Sequence, residues 1–290
     1  MNVNALDNST RAELLVQALP YMKKYYGKTI VVKYGGNAMI SDDLKEQVME
    51  DVVLLSMVGI RVVLVHGGGP EVSDLMKRLG KEPEFVDGLR VTDAETVSIA
   101  QMVLAGRINK SLVSLLQMKG GNAVGLSGID GRLIQAVQKD EKLGYVGTVT
   151  KVNPEPVLSL LDSGYIPVIS TLGCDDGGNI YNINGDTAAG KIAAAVGAER
   201  LIMMTDIDGI RTDRHDPDTL QSELTVQAAQ DLIADGSISG GMIPKVQCCI
   251  DALAEGVSAA VVIDGRVPHA ILMEILTDEG AGTMFRKDTK

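Results

Sequence analysis

The sequence is poor in the residues that hold small or secreted proteins together. Its 290 residues contain no tryptophan and only two phenylalanines, Phe85 and Phe285. A core must therefore be built from Val, Ile, Leu, Ala and Met. The three cysteines, Cys174, Cys248 and Cys249, make no disulfide framework, which points to a reduced, cytoplasmic setting. Adjacent Cys248 and Cys249 are expected on different faces of a helix. The three histidines, His66, His215 and His269, are too dispersed for a metal-ligand motif, so no metal site is expected on the protein. No run is long and apolar enough to span a bilayer, and the polar, acidic N-terminus does not read as a secretory signal. Positive charge is also short. A balance of 27 Lys and Arg against 38 Asp and Glu gives −11, which repels nucleic acid and anionic membranes at long range. Any anionic ligand must then be drawn by local cations and helix N-termini.

What is abundant is glycine, 32 residues, within an ordinary globular composition that is 45% hydrophobic and 22% charged. That is ample for a large core, with many tight turns. Residues 9–26 carry a helical apolar stripe that includes Leu14, Leu15, Ala18, Leu19 and Met22. Ser9 or Thr10 is its expected cap, and Pro20 is expected to kink or break it. Ile30–Lys33 reads as a buried strand, with Gly35-Gly36 directly after. Paired glycines let backbone N–H groups approach an anion, and Lys33 adds a mobile charge; a plain strand-to-helix turn carries the same signature. Ser41 is expected to cap a helix to about Val58. Arg61–Val65 is a second strand, and His66-Gly-Gly-Gly-Pro70 opens a helix whose N-terminus could hold a phosphate or a carboxylate.

Further along, Thr92 or Asp93 is expected to cap a helix over 94–105, followed by another over 108–118. Arg90, just before that cap, has a fork suited to a carboxylate. Short strands are expected at 123–126 and 165–169, with an antiparallel extended segment at 144–152 and a helix from Pro154 to Asp162. The polar, glycine-rich stretch 173–178 marks a lobe boundary. Asp186 begins an alanine-rich helix, where a capping role is the plain expectation. Arg200–Asp206 is a strongly apolar strand ending in Thr205-Asp-Ile-Asp-Gly209, the position where parallel sheets bind ligands. Residues 210–224 read as a surface excursion. A helix at 226–234 precedes Gly240-Gly-Met-Ile-Pro-Lys245, a third glycine turn opening a helix, again with a lysine. The last long strand is 257–263, the last helix 269–276, and 280–285 is expected as an edge strand. Alternating β and α segments imply a mostly parallel sheet covered on both faces. No dinucleotide-binding or Walker signature occurs. Two lysines, three glycine turns and a carboxylate suit phosphoryl transfer, which needs positioning and charge neutralisation rather than covalent chemistry.

Six motifs in order carry a resemblance: Lys33-Tyr-Gly-Gly36, His66-Gly-Gly-Gly-Pro70, Gly88-Leu-Arg-Val-Thr-Asp93, Asn182-Ile-Asn-Gly-Asp186, Thr205-Asp-Ile-Asp-Gly209 and Gly240-Gly-Met-Ile-Pro-Lys245. Each is weak alone; together they are specific. Over nearly its whole length the sequence resembles the amino acid kinase family, most closely the members acting on N-acetyl-L-glutamate in arginine synthesis. The resemblance implies a three-layer αβα sandwich with an N-terminal kinked helix (1–26), an acceptor-binding N-lobe (27–176) and an ATP-binding C-lobe (177–290). It implies that Lys33 and Lys245 stabilise the transferring phosphoryl group, that Asp186 orients them, and that Gly36 and Gly68 donate backbone N–H bonds. Gly68, Gly69, Arg90 and Asn182 would hold the acceptor. Gly35, Gly36, Thr205, Asp206, Gly209, Gly240 and Gly241 would serve ATP, with Mg2+ bridging its oxygens. It further implies inhibition by L-arginine through Tyr21, His269, Glu274 and Gly282, and a hexamer joined through the N-terminal helix. Some family members also bind a PII-type signalling protein, a further candidate partner. The rivals are a kinase of another small acid, such as carbamate, aspartate or a longer N-acetylated acid, and a nucleotide-binding sensor without catalysis.

Overall fold

The computed structural model describes residues 7–39, 41–213 and 216–288; His215 and the first six residues of the N-terminal segment lie outside them. The first half runs α1 (Asn8–Tyr25), β1 (Thr29–Tyr34), α2 (Asp42–Met57), β2 (Arg61–His66) and α3 (Gly69–Arg78), then the small hairpin β3 (Phe85–Val86) and β4 (Leu89–Arg90). Next come α4 (Ala94–Gln101), a π-helical stretch (Met102–Ile108), α5 (Asn109–Met118), β5 (Ala123–Ser127), β6 (Ile134–Gln138), β7 (Gly147–Val152), α6 (Glu155–Asp162), β8 (Ile166–Ser170), β9 (Leu172–Cys174) and β10 (Ile180–Asn182). The second half contains α7 (Gly185–Ala195), β11 (Arg200–Thr205), β12 (Ile210–Arg211), β13 (Leu220–Gln221), β14 (Glu223–Thr225), α8 (Val226–Ala234), α9 (Ile243–Ala254), β15 (Ala259–Asp264), α10 (Ala270–Leu276) and β16 (Gly282–Arg286).

Eight strands form one sheet in the order β14-β16-β15-β11-β1-β2-β8-β5. All its pairings are parallel except β15 with β16. A second, four-stranded sheet, β10-β9-β6-β7, includes the antiparallel pair expected near 144–152. The central strands are buried on both faces, which is why they read as unbroken Val, Ile, Leu and Met. Strand alternation divides the core. Ile30 and Val32 face α2, α5 and α10; Val31 faces α7 and α9. Lys33, two residues after Val31, therefore projects to the α7/α9 side.

Four expectations change. Asp7, not Ser9 or Thr10, caps α1, accepting from the Thr10 N–H at 2.9 Å. Of the kink or break expected at Pro20, the break does not occur: the helix runs through Pro20. The ring removes one N–H bond and crowds the Val16 carbonyl, but Val16 is solvent-exposed, so water can serve the freed oxygen. The helices expected at 94–105 and 108–118 are one helical run, because the π stretch carries the chain past Gly106. Finally, β16 is not an edge: β14 pairs on its outer side. Residues 175–179 close the β9–β10 hairpin, held by the Asp175 carboxylate on the Asn179 N–H and amide.

Candidate active site

The site lies where the strands of the main sheet end. Gly67 N–H donates to the Tyr34 carbonyl at 3.0 Å, stapling the turn after β2 to the turn after β1. A Cβ at Gly35 would lie 3.4 Å from the Gly67 nitrogen, so the two glycine turns pack backbone to backbone. Lys33, buried on β1, threads between Gly35 and Gly185; a Cβ at either would lie 3.6 Å from its Cε.

Its ammonium meets Asp186 Oδ1 at 2.9 Å, while Lys245 meets Oδ2 at 2.8 Å. Asp186 is free to do this because it does not cap its helix. Asn184 does, its side-chain oxygen accepting from the N–H groups of Asp186 and Thr187. Burial pushes the Asp186 carboxyl upward, but the charges and hydrogen bonds of Lys33 and Lys245 outweigh it and hold the group below its usual range. The result is one carboxylate gripping two ammonium groups from residues 212 positions apart in sequence, 33 to 245.

Two cavities flank this triad. The smaller, about 170 Å³, is lined by Gly67–Gly69, Arg90, Asn182 and Gly185 among others. Arg90 is held by acceptors on α3: its Nη2 donates to the Gly69 carbonyl at 2.7 Å and to Ser73 Oγ at 2.8 Å, with the Phe85 ring 4.8 Å from the guanidinium carbon. Burial lowers its pKa from the usual guanidinium range. Asn182 Nδ2 lies 3.4 Å from Thr92 Oγ1. The larger cavity, about 510 Å³, is lined by Asp206–Arg211, Ser237–Met242 and Lys245. Its size is in the range of small-molecule sites. Gly209, Gly240, Gly241 and Asp206 thus share one cavity, as do Gly68, Gly69, Arg90 and Asn182 in the other. Thr205 is buried, with its hydroxyl on Asp206 Oδ1, and does not line the larger cavity. Gly35 and Gly36 line neither.

Sequence reasoning missed Ser73 and Phe85 beside Arg90, and Arg211 in the larger cavity. Ser73 had a signal: it stands one helical turn after Gly69 on α3. Asn184 had one too, since an Asn directly before a helix is a standard cap. Arg211 had none, because it lies in the segment read as a surface excursion.

The last four residues singled out lie away from this triad, around α10. His269 precedes α10 with φ +57° and Nδ1 2.6 Å from buried Asp51 on α2. Glu274 is buried within α10 and accepts from the Ala281 N–H at 3.0 Å through Oε2, while Oε1 is buried without a partner. Gly282 begins β16, and α1 packs on α10, with the Tyr21 phenol hydrogen-bonded to Asp278. Among the described residues, no group of three His, Cys, Asp or Glu is arranged to hold a metal ion, and no helix is long and apolar enough to cross a membrane.

The chain is similar to proteins of known sequence and structure. The chain is 53% identical to the acetylglutamate kinase of Pelotomaculum thermopropionicum, over 96% of this chain and 98% of that protein. It is also 53% identical to the chloroplastic acetylglutamate kinase of Arabidopsis thaliana, over 97% and 82%. In structure it is similar to N-acetylglutamate synthase of Neisseria gonorrhoeae in complex with coenzyme A and N-acetyl-glutamate. That match has TM-score 0.84 and 28% identity, and covers 96% of this chain and 64% of the synthase. It shares a fold with carbamate kinase of Giardia lamblia bound to AMP-PNP, at TM-score 0.63 and 18% identity, covering 90% and 99%. The model of the amino acid kinase family matches residues 28–264. That span holds Lys33, Asp186, Lys245 and both cavities, and the chain belongs to the amino acid kinase family.

Proposed function

We infer that the chain phosphorylates N-acetyl-L-glutamate on its γ-carboxylate with ATP, giving N-acetyl-L-glutamyl 5-phosphate and ADP in arginine biosynthesis. The Lys33–Asp186–Lys245 bridge between a small cationic pocket and a larger cleft carries this reading. Acetylglutamate kinases more than half identical over nearly the whole chain support it.

In this reading the acceptor lies in the Arg90 pocket, its α-carboxylate on the guanidinium fork, and is steadied by Gly68, Gly69 and Asn182. The nucleotide lies along Gly209 and the Gly240–Gly241 turn. Magnesium brought in with the nucleotide would offset phosphate charge, and among the described residues no group of three His, Cys, Asp or Glu is arranged to hold it. An oxygen of the acceptor γ-carboxylate attacks the terminal phosphorus as the bond to the ADP oxygen breaks. Both ends of that path are anionic, so Lys33 and Lys245 lower the barrier by neutralising the group in motion. Asp186 holds the two ammonium groups at fixed spacing before substrate arrives. No general base is needed, because the acceptor is already ionised at neutral pH. Residues 27–176 supply most of the acceptor side, completed by Asn182–Gly185, and residues 177–290 supply the nucleotide side. The test is ADP release in the presence of ATP and each of N-acetyl-L-glutamate, aspartate and carbamate. Turnover with another acid in place of N-acetyl-L-glutamate overturns the assignment.

The reading extends to inhibition by L-arginine and to a hexamer. Support for the first is the buried, half-partnered carboxylate of Glu274, near enough to α1 and the turn before Gly282 to suit a guanidinium or α-ammonium group. The Neisseria synthase has also been solved in complex with coenzyme A and L-arginine, at TM-score 0.79 and 26% identity to this chain. Support for the second is α1, which leaves Leu14, Leu15, Val16 and Leu19 exposed as a contiguous apolar face. Deleting residues 1–26 is expected to reduce the assembly on a sizing column. A hexamer that survives the deletion refutes the arm.

A further inference from the structure

One buried polar pair takes no part in the proposed transfer. His66 ends β2 immediately before the glycine turn, and Asn109 opens α5; both side chains are fully buried. Neither lines the acceptor pocket. Asn109 Nδ2 lies 3.1 Å from His66 Nε2, 2.9 Å from the Val168 carbonyl and 3.1 Å from the Leu126 carbonyl. Carbonyls can only accept, so this end of the amide is the NH2 and His66 Nε2 must be an acceptor. The ring proton then belongs on Nδ1, 2.9 Å from the Gly67 carbonyl. Burial, helped by the Lys110 charge and opposed by the bond to Gly67, pushes the His66 pKa down to about 4, so the ring is neutral at neutral pH. One imidazole thus ties α5 to the first peptide of the glycine turn.

The surroundings are shaped for that tie. Gly125 on β5 leaves room for Asn109: a Cβ there would sit 2.0 Å from Oδ1. Asn109 directly follows the π-helical stretch, whose wider turn re-aims the residues after it. The same stretch presses Leu104 and Ile108 onto Gly68, where a Cβ would fall 2.8 Å from Leu104 Cδ2 and 2.1 Å from Ile108 Cδ1. Apolar contact from Leu104 and Ile108 and a hydrogen-bonded link through His66 therefore act on consecutive residues of one turn.

We propose that the π-helical segment and Asn109, acting through His66, set the orientation of the Gly67–Gly69 peptide groups that face the acceptor. His66 and Asn109 are then positioning residues for acceptor binding. This rests on assigning the Arg90 pocket to the acceptor, so the test has one arm that does not. Nitrogen-15 NMR of the full-length wild-type chain, labelled at its three histidines, is expected to show His66 as the Nδ1–H tautomer. The signal should not titrate between about pH 5.5 and 8. An Nε2–H tautomer or an imidazolium at neutral pH overturns the network whatever the substrate, and whether or not any variant folds. In the kinetic arm, Asn109→Leu is expected to raise KM for N-acetyl-L-glutamate about tenfold while KM for ATP stays within about twofold. His66→Gln, whose amide oxygen can still meet Asn109, is expected to keep a lower KM than His66→Leu. Equal rises in both KM values, or a fall in kcat alone, overturn the positioning role. A wild-type chain that binds another acid in this pocket overturns the functional reading and leaves the tautomer result standing.

Discussion

Asp186, its side chain 13% exposed, and buried Glu274 are both carboxylates in helices packed against the same sheet, and their pKa values shift in opposite directions. Burial raises each. At Asp186 two lysines outweigh it; at Glu274 a single backbone N–H and the more distant charges of Arg200 and Arg286 do not. A carboxylate with a cation on each oxygen is a finished electrostatic unit, ready before substrate arrives. A carboxylate with one oxygen unserved is an unfinished one, and a cationic ligand would complete it. The difference fits the roles proposed for the two places: rapid transfer at one, conditional binding at the other. Linkage gives each a signature. The depressed Asp186 pKa contributes stability that is present above the unfolded carboxyl value and lost as pH falls through the folded one. The raised Glu274 pKa contributes stability that is complete at low pH and lost as pH rises.

The comparison breaks most visibly if the finished unit can be opened without cost. Asp186→Asn removes the charge and leaves two ammonium groups, buried Lys33 and half-buried Lys245, facing an amide. A loss in kcat of about a hundredfold or more is expected, with a smaller change in KM for ATP, from steady-state kinetics. Lys245→Ala is expected to act in the same direction. A loss of ATP affinity with kcat preserved would place Lys245 in ground-state binding instead. Next in size is Glu274→Gln. It abolishes the charge that a cationic effector would seek, so the L-arginine concentration for half-inhibition is expected to rise about tenfold or more. Inhibition at unchanged concentration would remove Glu274 from the effector site.

These contrasts were only partly legible beforehand. The apolar strands β1, β2, β11 and β15 could be read because burial on both faces demands continuous Val, Ile, Leu and Met. The glycine turns could be read because few other residues allow such close backbone approach. The strand β6 was not anticipated: Gln135 and Gln138 dilute its pattern, and it belongs to a smaller, partly exposed sheet. The π stretch was hidden because Gly106 reads as a helix end, and the compensating packing of Leu104 and Ile108 on Gly68 comes from far away in the chain. For the candidate site, local rules assigned Asp186 to helix capping and passed over Asn184, which fits the same rule and performs the task. The contact between Asp186 and two lysines, and the lack of a partner at Glu274 Oε1, are properties of the folded chain that no periodicity encodes.

Asp51 lies between the two cases. It is buried, meets His269 Nδ1 at 2.6 Å and the Leu272 backbone N–H, and is still pushed up to about 6, chiefly by burial. Its contribution to stability is complete below the unfolded value near 3.8 and is lost as pH rises through about 6. Urea unfolding of the wild type is expected to show a decline of up to about 3 kcal/mol from this group across that window. Asp51→Asn is expected to flatten it. Identical slopes in both proteins would mean that His269 already satisfies Asp51 as fully as the lysines satisfy Asp186.

The smallest expected effect tests whether distance or environment makes Asp186 special. Arg132 and Asp176 also meet at 2.8 Å, the same separation as Lys245 and Asp186, but their side chains are 58% and 87% exposed. Water screens both partners, and each keeps its hydration when the other is removed. Arg132→Ala is therefore expected to change the unfolding free energy by less than about 0.5 kcal/mol. Within the site, the side chains of Lys245 and Asp186 are only 22% and 13% exposed, so breaking the same 2.8 Å contact leaves a charge with far less water to serve it. A large loss from Arg132→Ala would undo the distinction, since an exposed ion pair would then stabilise the fold as strongly as a buried one.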